Sequence, residues 1–103
     1  MVATGFVDAS SRADHFKRHG GDFGASSEQA YESLARQFLN GPLGATILEG
    51  VRRSNGDVIR FDRVTQTFAV MRVDGIIKTF FKPDPGIHGF RSNLRYFQVE
   101  CLR

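Results

Sequence analysis

Two short glycine turns constrain this chain more than any other feature, because they fix where its strands must reverse. Ser54-Asn55-Gly56-Asp57 contains Asn-Gly, the strongest short hairpin signal, and Asp74-Gly75 is a second signal of the same kind. Apolar segments flank both turns, as expected for hairpin strands. The pattern predicts four antiparallel strands at 46–53, 58–62, 67–73 and 76–81, and a last strand at 95–102.

The first forty residues have helical patterning instead. A helix is predicted over Ser10–His19, with Ser10 or Asp8 as its cap and Gly20-Gly21 as its end. A second is predicted at 27–40, where Ser26 and Gln29 have the spacing of a capping box. Its apolar side chains recur at helical spacing: Tyr31, Leu34, Ala35 and Phe38.

Helices followed by an antiparallel meander define an α+β fold. We expect one domain over residues 1–103, with the N-terminal helices packed on one face of a four- to five-stranded antiparallel sheet. Residues 1–7 are expected to form a flexible tail. The other face of the sheet is expected to be open, and polar side chains there would suit a phosphodiester backbone: Arg60, Arg72, Lys78 and Thr79.

Composition narrows the functional classes. The 14 Lys and Arg outnumber the 11 Asp and Glu, and this net charge of +3 permits a polyanionic partner. Cys101 is the only cysteine, so neither an internal disulfide nor a thiolate metal cluster is possible. No apolar run is long enough to span a membrane, and the first residues lack the pattern of a signal peptide. If the protein is exported, we expect another segment or protein to carry it.

His15 and His19 stand four residues apart and therefore share one face of the first predicted helix. They can be ordinary exposed or capping histidines. A metal site would need at least a third ligand, which no second His or Cys pair supplies. Proton transfer is the third interpretation, because an unperturbed histidine titrates near pH ~6.5.

Metal-independent RNA cleavage needs few parts. A base takes the 2′-hydroxyl proton, the oxygen attacks phosphorus, an acid protonates the leaving 5′-oxygen, and donors stabilise the phosphoryl oxygens. The chain offers residue types for every role: His15, His19, His88, Arg60, Lys78, Thr79, Lys82 and Tyr96. No P-loop and no Gly-x-Ser-x-Gly elbow is present to favour another chemistry.

The order of short motifs over roughly residues 14–97 adds a resemblance. The series contains His15-Phe-Lys-Arg-His19-Gly-Gly-Asp-Phe-Gly24, Ala30-Tyr31, Ala35-Arg-Gln-Phe-Leu39, Asp57-Val-Ile-Arg60-Phe-Asp62, Thr67-Phe-Ala-Val70, Asp74-Gly75, Thr79-Phe-Phe-Lys-Pro83, His88-Gly89 and Tyr96-Phe97. It resembles the C-terminal toxin domains of contact-dependent growth inhibition and related polymorphic toxins. Their fold group includes barnase, EndoU, colicin D and RelE.

This resemblance implies a ribonuclease, often directed at tRNA, that acts in the cytoplasm of a competing bacterium and is neutralised by a tight-binding immunity protein. No cofactor is implied, although a host factor could activate the enzyme. The resemblance suggests His19 as general acid or base, Arg60 as phosphate binder, and Thr79 as a phosphate or 2′-hydroxyl contact. The resemblance suggests substrate-binding roles for Lys82, His88 and Tyr96. The residue types themselves add His15 as a further catalytic candidate and Lys78 as a further substrate-binding one.

Two other classes of protein stay open at this point. A non-catalytic RNA-binding or toxin-neutralising module on the same fold would use the basic face and leave His19 without a role. A structural domain of a phage or secreted protein would have no affinity for RNA. Arg60 and Thr79 can share a site only if both point to the same face of the sheet, which a one-residue change in register would prevent.

Overall fold

The computed structural model describes residues 2–103. The elements follow in this order: β1 (Gly5–Phe6), α1 (Ala9–His19), a 3₁₀ turn (Gly20–Phe23), α2 (Glu28–Asn40), β2 (Ile47–Val51), β3 (Val58–Asp62), β4 (Thr67–Met71), β5 (Ile76–Phe81), α3 (Pro85–His88) and α4 (Asn93–Leu102). Within this described range, no helix combines the length and apolar character needed to cross a membrane.

The strands form one five-stranded sheet in the order β1-β5-β4-β3-β2. Strands β2 to β5 make the predicted antiparallel meander, with reversals at both glycine turns. Strand β1 pairs in parallel with β5, so the sheet is mixed rather than wholly antiparallel. The α+β class and the N-terminal helices on one face are confirmed.

Side-chain caps begin the two long N-terminal helices. The Asp8 carboxylate accepts a hydrogen bond from the Ser11 amide at 2.8 Å, and the Ser27 hydroxyl, rather than that of Ser26, caps α2. Tyr31 on α2 is fully buried and donates its hydroxyl proton to the Phe80 carbonyl. The core between these helices and the sheet contains Ala3, Phe6, Tyr31, Ala35, Leu39, Ala69, Met71, Ile77 and Phe80.

The C-terminal segment is a helix, and the predicted strand at 95–102 is wrong. Ser92 caps α4, and burial recurs at helical spacing through Asn93, Phe97 and Cys101. The helix packs Phe97 on the second face of the sheet, against Ile59, Phe61, Phe68 and Val70. That face is therefore covered by α4 in the middle of the sheet, which corrects the expectation of an open basic face.

The N-terminal residues also depart from the prediction of a flexible tail. Ala3 and Phe6 are buried, and Gly5–Phe6 forms the edge strand β1. Side chains of α2 hold this segment, because Asn40 accepts from the Ala3 amide at 2.7 Å and Glu32 accepts from the Phe6 amide at 3.0 Å. Satisfying these backbone donors stabilises a segment too short to be recognised from its own pattern.

Candidate active site

A cleft of about 540 Å³ opens where β5 ends, between the end of α1 and the start of α4. Strand β1 pairs with only the first residues of β5, so within residues 2–103 the last residues of β5 have a strand partner, β4, on one edge alone. The 3₁₀ turn after α1 and the short helix α3 bring polar side chains to this place. The cleft is lined by Arg18, His19, Asp22, Phe81, Lys82, Asp84, Ile87, His88 and Tyr96.

His19 lies in this cleft at the C-terminal end of α1. Its ring lies 5.1 Å from that of Phe81, centroid to centroid. Partial burial, and secondarily the positive charge of Arg18, lower the pKa of His19 below its usual value. The neutral imidazole therefore predominates at pH 7 and can accept a proton.

His88 is held from both ring nitrogens. Its Nδ1 lies 3.1 Å from the Phe90 amide and accepts its proton, and its Nε2 lies 2.9 Å from Oδ1 of buried Asn93. Because Nδ1 accepts, Nε2 is the nitrogen that donates to Asn93. The ring also stacks on Tyr96, with centroids 4.5 Å apart and planes 10° from parallel. These contacts fix the position of His88 in the cleft wall.

Tyr96 and Lys82 add a hydroxyl group and a cation to the lining of the cleft. Burial, and next the nearby charge of Glu100, raise the pKa of Tyr96, so its hydroxyl stays protonated at neutral pH. The Lys82 amide donates to Asp22 at 3.2 Å, which ties the end of β5 to the 3₁₀ turn. The cleft also contains Arg18 and Asp84, so cations and carboxylates are balanced and the cleft is not a strongly basic groove.

His15 stands beside this cleft rather than among its lining residues. The His15 and His19 rings are 6.1 Å apart, as expected for residues that share a helix face. His15 also stacks on Phe6 at 5.0 Å, and its Nδ1 is buried with no hydrogen-bond partner among the described residues. Burial first, and then the charge of Arg18, lower its pKa.

Arg60 and Thr79 lie on opposite faces of the sheet. Arg60 pairs with Ala69 on the α2 face, whereas Thr79 pairs with Val70 on the α4 face. Adjacent residues of a strand point to opposite sides, so Arg60 and Thr79 cannot share one site. Neither of the two lines the cleft.

The contacts of Arg60 give it a structural role. Its guanidinium donates to Glu49 at 2.7 Å and to the carbonyls of Phe38 and Gly41, at 3.0 and 2.7 Å. Those carbonyls lie at the C-terminal end of α2, where helix carbonyls lack intrahelical partners. The side chain is only 10% exposed, so the placement does not support the predicted role as a phosphate binder.

Lys78 is also occupied elsewhere. It is the extra residue of a β-bulge opposite Val70 and Met71, and its ammonium binds the buried carboxylate of Asp57 at 2.8 Å. This ion pair compensates a charge that would otherwise be buried alone.

Of the predicted site residues, the structure brings four together in the cleft: His19, Lys82, His88 and Tyr96.

Sequence reasoning missed several lining residues. Arg18 and Asp22 adjoin the predicted His19, so their proximity in sequence was a usable signal. Phe81 belongs to the Thr79-Phe-Phe-Lys-Pro83 motif without a predicted role of its own, and it forms part of the wall. Asp84 accepts from the Gly86 amide at 2.8 Å and begins α3, which places His88. Among residues 2–103, no three His, Cys, Asp or Glu side chains are grouped closely enough to hold a metal ion.

The fold and site define an α+β protein with helices on both faces of a mixed sheet and a histidine-bearing cleft at one end. It is similar in structure to a ribonuclease from Escherichia coli, solved in complex with its inhibitor protein. The TM-score is 0.60 at 20% sequence identity, over 82% of this chain and 95% of the ribonuclease chain. This likeness establishes a shared fold. No protein-family model matches the sequence, and no curated protein matches it.

Proposed function

We propose that this protein is a metal-independent endoribonuclease toxin that cleaves tRNA. The observation that carries the proposal is the cleft in which His19, His88, Lys82 and Tyr96 meet. The proposal is also supported by the fold that this protein shares with a ribonuclease solved in complex with its inhibitor protein. The reaction is attack of a 2′-hydroxyl on the adjacent phosphorus, which leaves a 2′,3′-cyclic phosphate and a 5′-hydroxyl.

In this proposal His19 is the general base, because its lowered pKa keeps the imidazole neutral near pH 7. Lys82 and Arg18 face the developing negative charge on the phosphoryl oxygens. Tyr96 keeps its hydroxyl proton and can donate a hydrogen bond to the phosphoryl group. The Tyr96 hydroxyl is also the candidate acid that protonates the leaving 5′-oxygen, and His88, once released from Asn93, donates a hydrogen bond to that oxygen from its Nε2–H.

The test is cleavage of total bacterial tRNA by the purified protein in excess EDTA, resolved on a denaturing gel. We expect discrete fragments from the parent, at least a hundredfold less from His19→Ala, and parental cleavage from Lys17→Ala, an exposed control on the same helix. Binding without cleavage in all three would instead identify a non-catalytic RNA-binding module. Restoration of cleavage by cell extract would reveal a host activating factor.

The chemical step has its own test. Synthetic RNA with a 2′-deoxynucleotide at the mapped cleavage position should resist cleavage, and parental products should end in a 2′,3′-cyclic phosphate. Cleavage of the 2′-deoxy substrate would exclude 2′-hydroxyl attack. Ribosomal RNA cut as fast as tRNA would exclude tRNA specificity.

The wider proposal is a toxin of bacterial competition, related to contact-dependent growth inhibition. It would be delivered as the tail of a secreted protein, act in the target-cell cytoplasm, and be neutralised by an acidic immunity protein over the cleft. The net charge of +3 favours an acidic partner. Ile87 at the rim is 85% exposed, so the uncharged truncation Ile87→Ala should weaken inhibition more than it reduces cleavage of RNA.

A further inference from the structure

A second groove, of about 370 Å³, lies next to the cleft on the α2 side of the sheet. It is lined by Asp22, Phe23, Leu34, Phe38, Thr65, Thr67, Phe80 and Lys82. Asp22 and Lys82 line both depressions. The two depressions therefore share a wall, formed where the Lys82 amide donates a hydrogen bond to the Asp22 carboxylate.

The walls of this second groove combine aromatic surface with hydroxyl groups. Phe23 is half-buried and stacks on buried Phe80, with centroids 4.0 Å apart and planes 10° from parallel. Thr65 and Thr67 stand nearby with their hydroxyl oxygens 2.8 Å apart. Exposed aromatic surface beside hydroxyl donors and acceptors suits a nucleobase, which presents a flat π-face and polar edges.

Lys82 marks the boundary between the two depressions. Its ammonium lies over the face of the Phe23 ring that does not stack on Phe80, 5.8 Å from the ring centroid, while the same residue lines the cleft with His19. A base that stacks on this face of Phe23 therefore displaces the ammonium, which then turns toward the cleft. A cation at this boundary is placed to meet a phosphate that links nucleosides on its two sides. A single strand with its reacting phosphate in the cleft would therefore pass this cation before its next base reached the second groove.

We propose that the second groove binds the base of an unpaired nucleotide adjoining the scissile phosphate, with Phe23 as its stacking surface. This inference rests on the proposed ribonuclease function. It implies that the substrate is a single-stranded RNA segment, such as a loop, because a paired base could not enter the groove.

The experiment is titration of the ¹⁵N-labelled protein with each of the four nucleoside 3′-monophosphates, and separately with inorganic phosphate. We expect amide shifts at Thr65 and Thr67 with at least one nucleotide and none there with phosphate. Phe23→Leu should weaken binding of that nucleotide roughly tenfold, because stacking on the aromatic ring is lost, and leave phosphate affinity unchanged. Thr65→Ala, at an exposed position, should weaken it severalfold without affecting the fold.

Nucleotide shifts confined to the cleft around His19, or no shifts with any nucleotide, would overturn the inference. So would unchanged nucleotide affinity in both a folded Phe23→Leu variant and Thr65→Ala. Because this assay needs no cleavage, its outcome is separate from that of the tRNA assay. Cleaved tRNA without shifts at Thr65 and Thr67 removes only the base site, whereas such shifts with uncut tRNA remove only the enzymatic proposal.

Discussion

Replacing Arg60 by methionine should destabilise the protein and leave its chemistry intact. The methionine keeps the length of the side chain but removes the donors to the Phe38 and Gly41 carbonyls and to Glu49. Water cannot readily replace those donors at a side chain that is 10% exposed. The carbonyls of Phe38 and Gly41, which are part-buried, would then lack their charged partner.

The magnitude follows from the exposure of each contact. The two hydrogen bonds that the guanidinium donates to the carbonyls together contribute about 2.5 kcal/mol to the free energy of unfolding. The Glu49 side chain is 35% exposed, and a partly solvated ion pair adds about 0.5 kcal/mol. The expected loss is therefore about 3 kcal/mol, which for a domain of this size lowers Tm by roughly 15 °C.

The assay is urea denaturation followed by circular dichroism, with RNA cleavage measured well below the new Tm. Arg63→Met is the matched control, since Arg63 is exposed and donates to one carbonyl, that of Ala45 at 3.0 Å. The control should lose less than about 1 kcal/mol. We expect kcat/KM of Arg60→Met to stay within a factor of about two. A stable Arg60→Met variant with cleavage reduced a hundredfold would refute the structural role and restore the phosphate-binding one.

Three further outcomes are expected. Burial lowers the pKa of His19 in the folded protein, so the contribution of His19 to stability should be complete above the unfolded pKa of ~6.5 and be lost as the pH falls through the folded pKa. For the same reason, the acidic limb of the pH profile of kcat/KM should have its midpoint below ~6.5. Gly50→Ala should cost about 1–3 kcal/mol, because its Cβ would lie 2.5 Å from the Cys101 sulfur, and adding Cys101→Ala should recover most of this in urea denaturation. Asn93→Ala should lose about 2–3 kcal/mol and reduce cleavage severalfold, because His88 loses the acceptor of its Nε2 proton.

Each of these has a contrary result. An acidic midpoint above 6.5 would mean that an ionisation other than that of His19 controls the rate. Equal destabilisation of Gly50→Ala with and without the change at Cys101 would show that the sulfur is not the obstacle. Full activity in a destabilised Asn93→Ala variant would leave His88 with a role in packing alone.

The elements with local signals were predictable from the sequence. Cap residues and glycines predicted the ends of α1 and α2 to within one residue, although Ser27 and not Ser26 caps α2. The turns at Asn55-Gly56 and Asp74-Gly75 predicted the hairpins. Caps and tight turns depend on residues only a few positions apart, so they can be recognised from the sequence without knowledge of the tertiary structure. That His15 and His19 lie on the same face of α1 also followed from local geometry, because they are four residues apart in a helix.

The errors came from non-local packing. In α4, the neighbouring Tyr96, Phe97 and Val99 favour a strand by propensity, but Ser92 caps a helix whose buried side faces the sheet. Strand β1 is two residues long and depends on side chains of α2. The opposite orientations of Arg60 and Thr79 depend on strand register, which no local pattern specified.

The pairing of β1 with β5 has a consequence for how the protein is made. Gly5 meets Ile76, so the first strand must wait for most of the chain before it has a partner. The cleft needs His19 from near one end and Tyr96 from near the other. Long-range contacts of this kind are slow to close during folding. A nascent chain on the ribosome therefore contains His19 long before the cleft exists, and synthesis that stops before residue 96 yields a chain without a complete cleft.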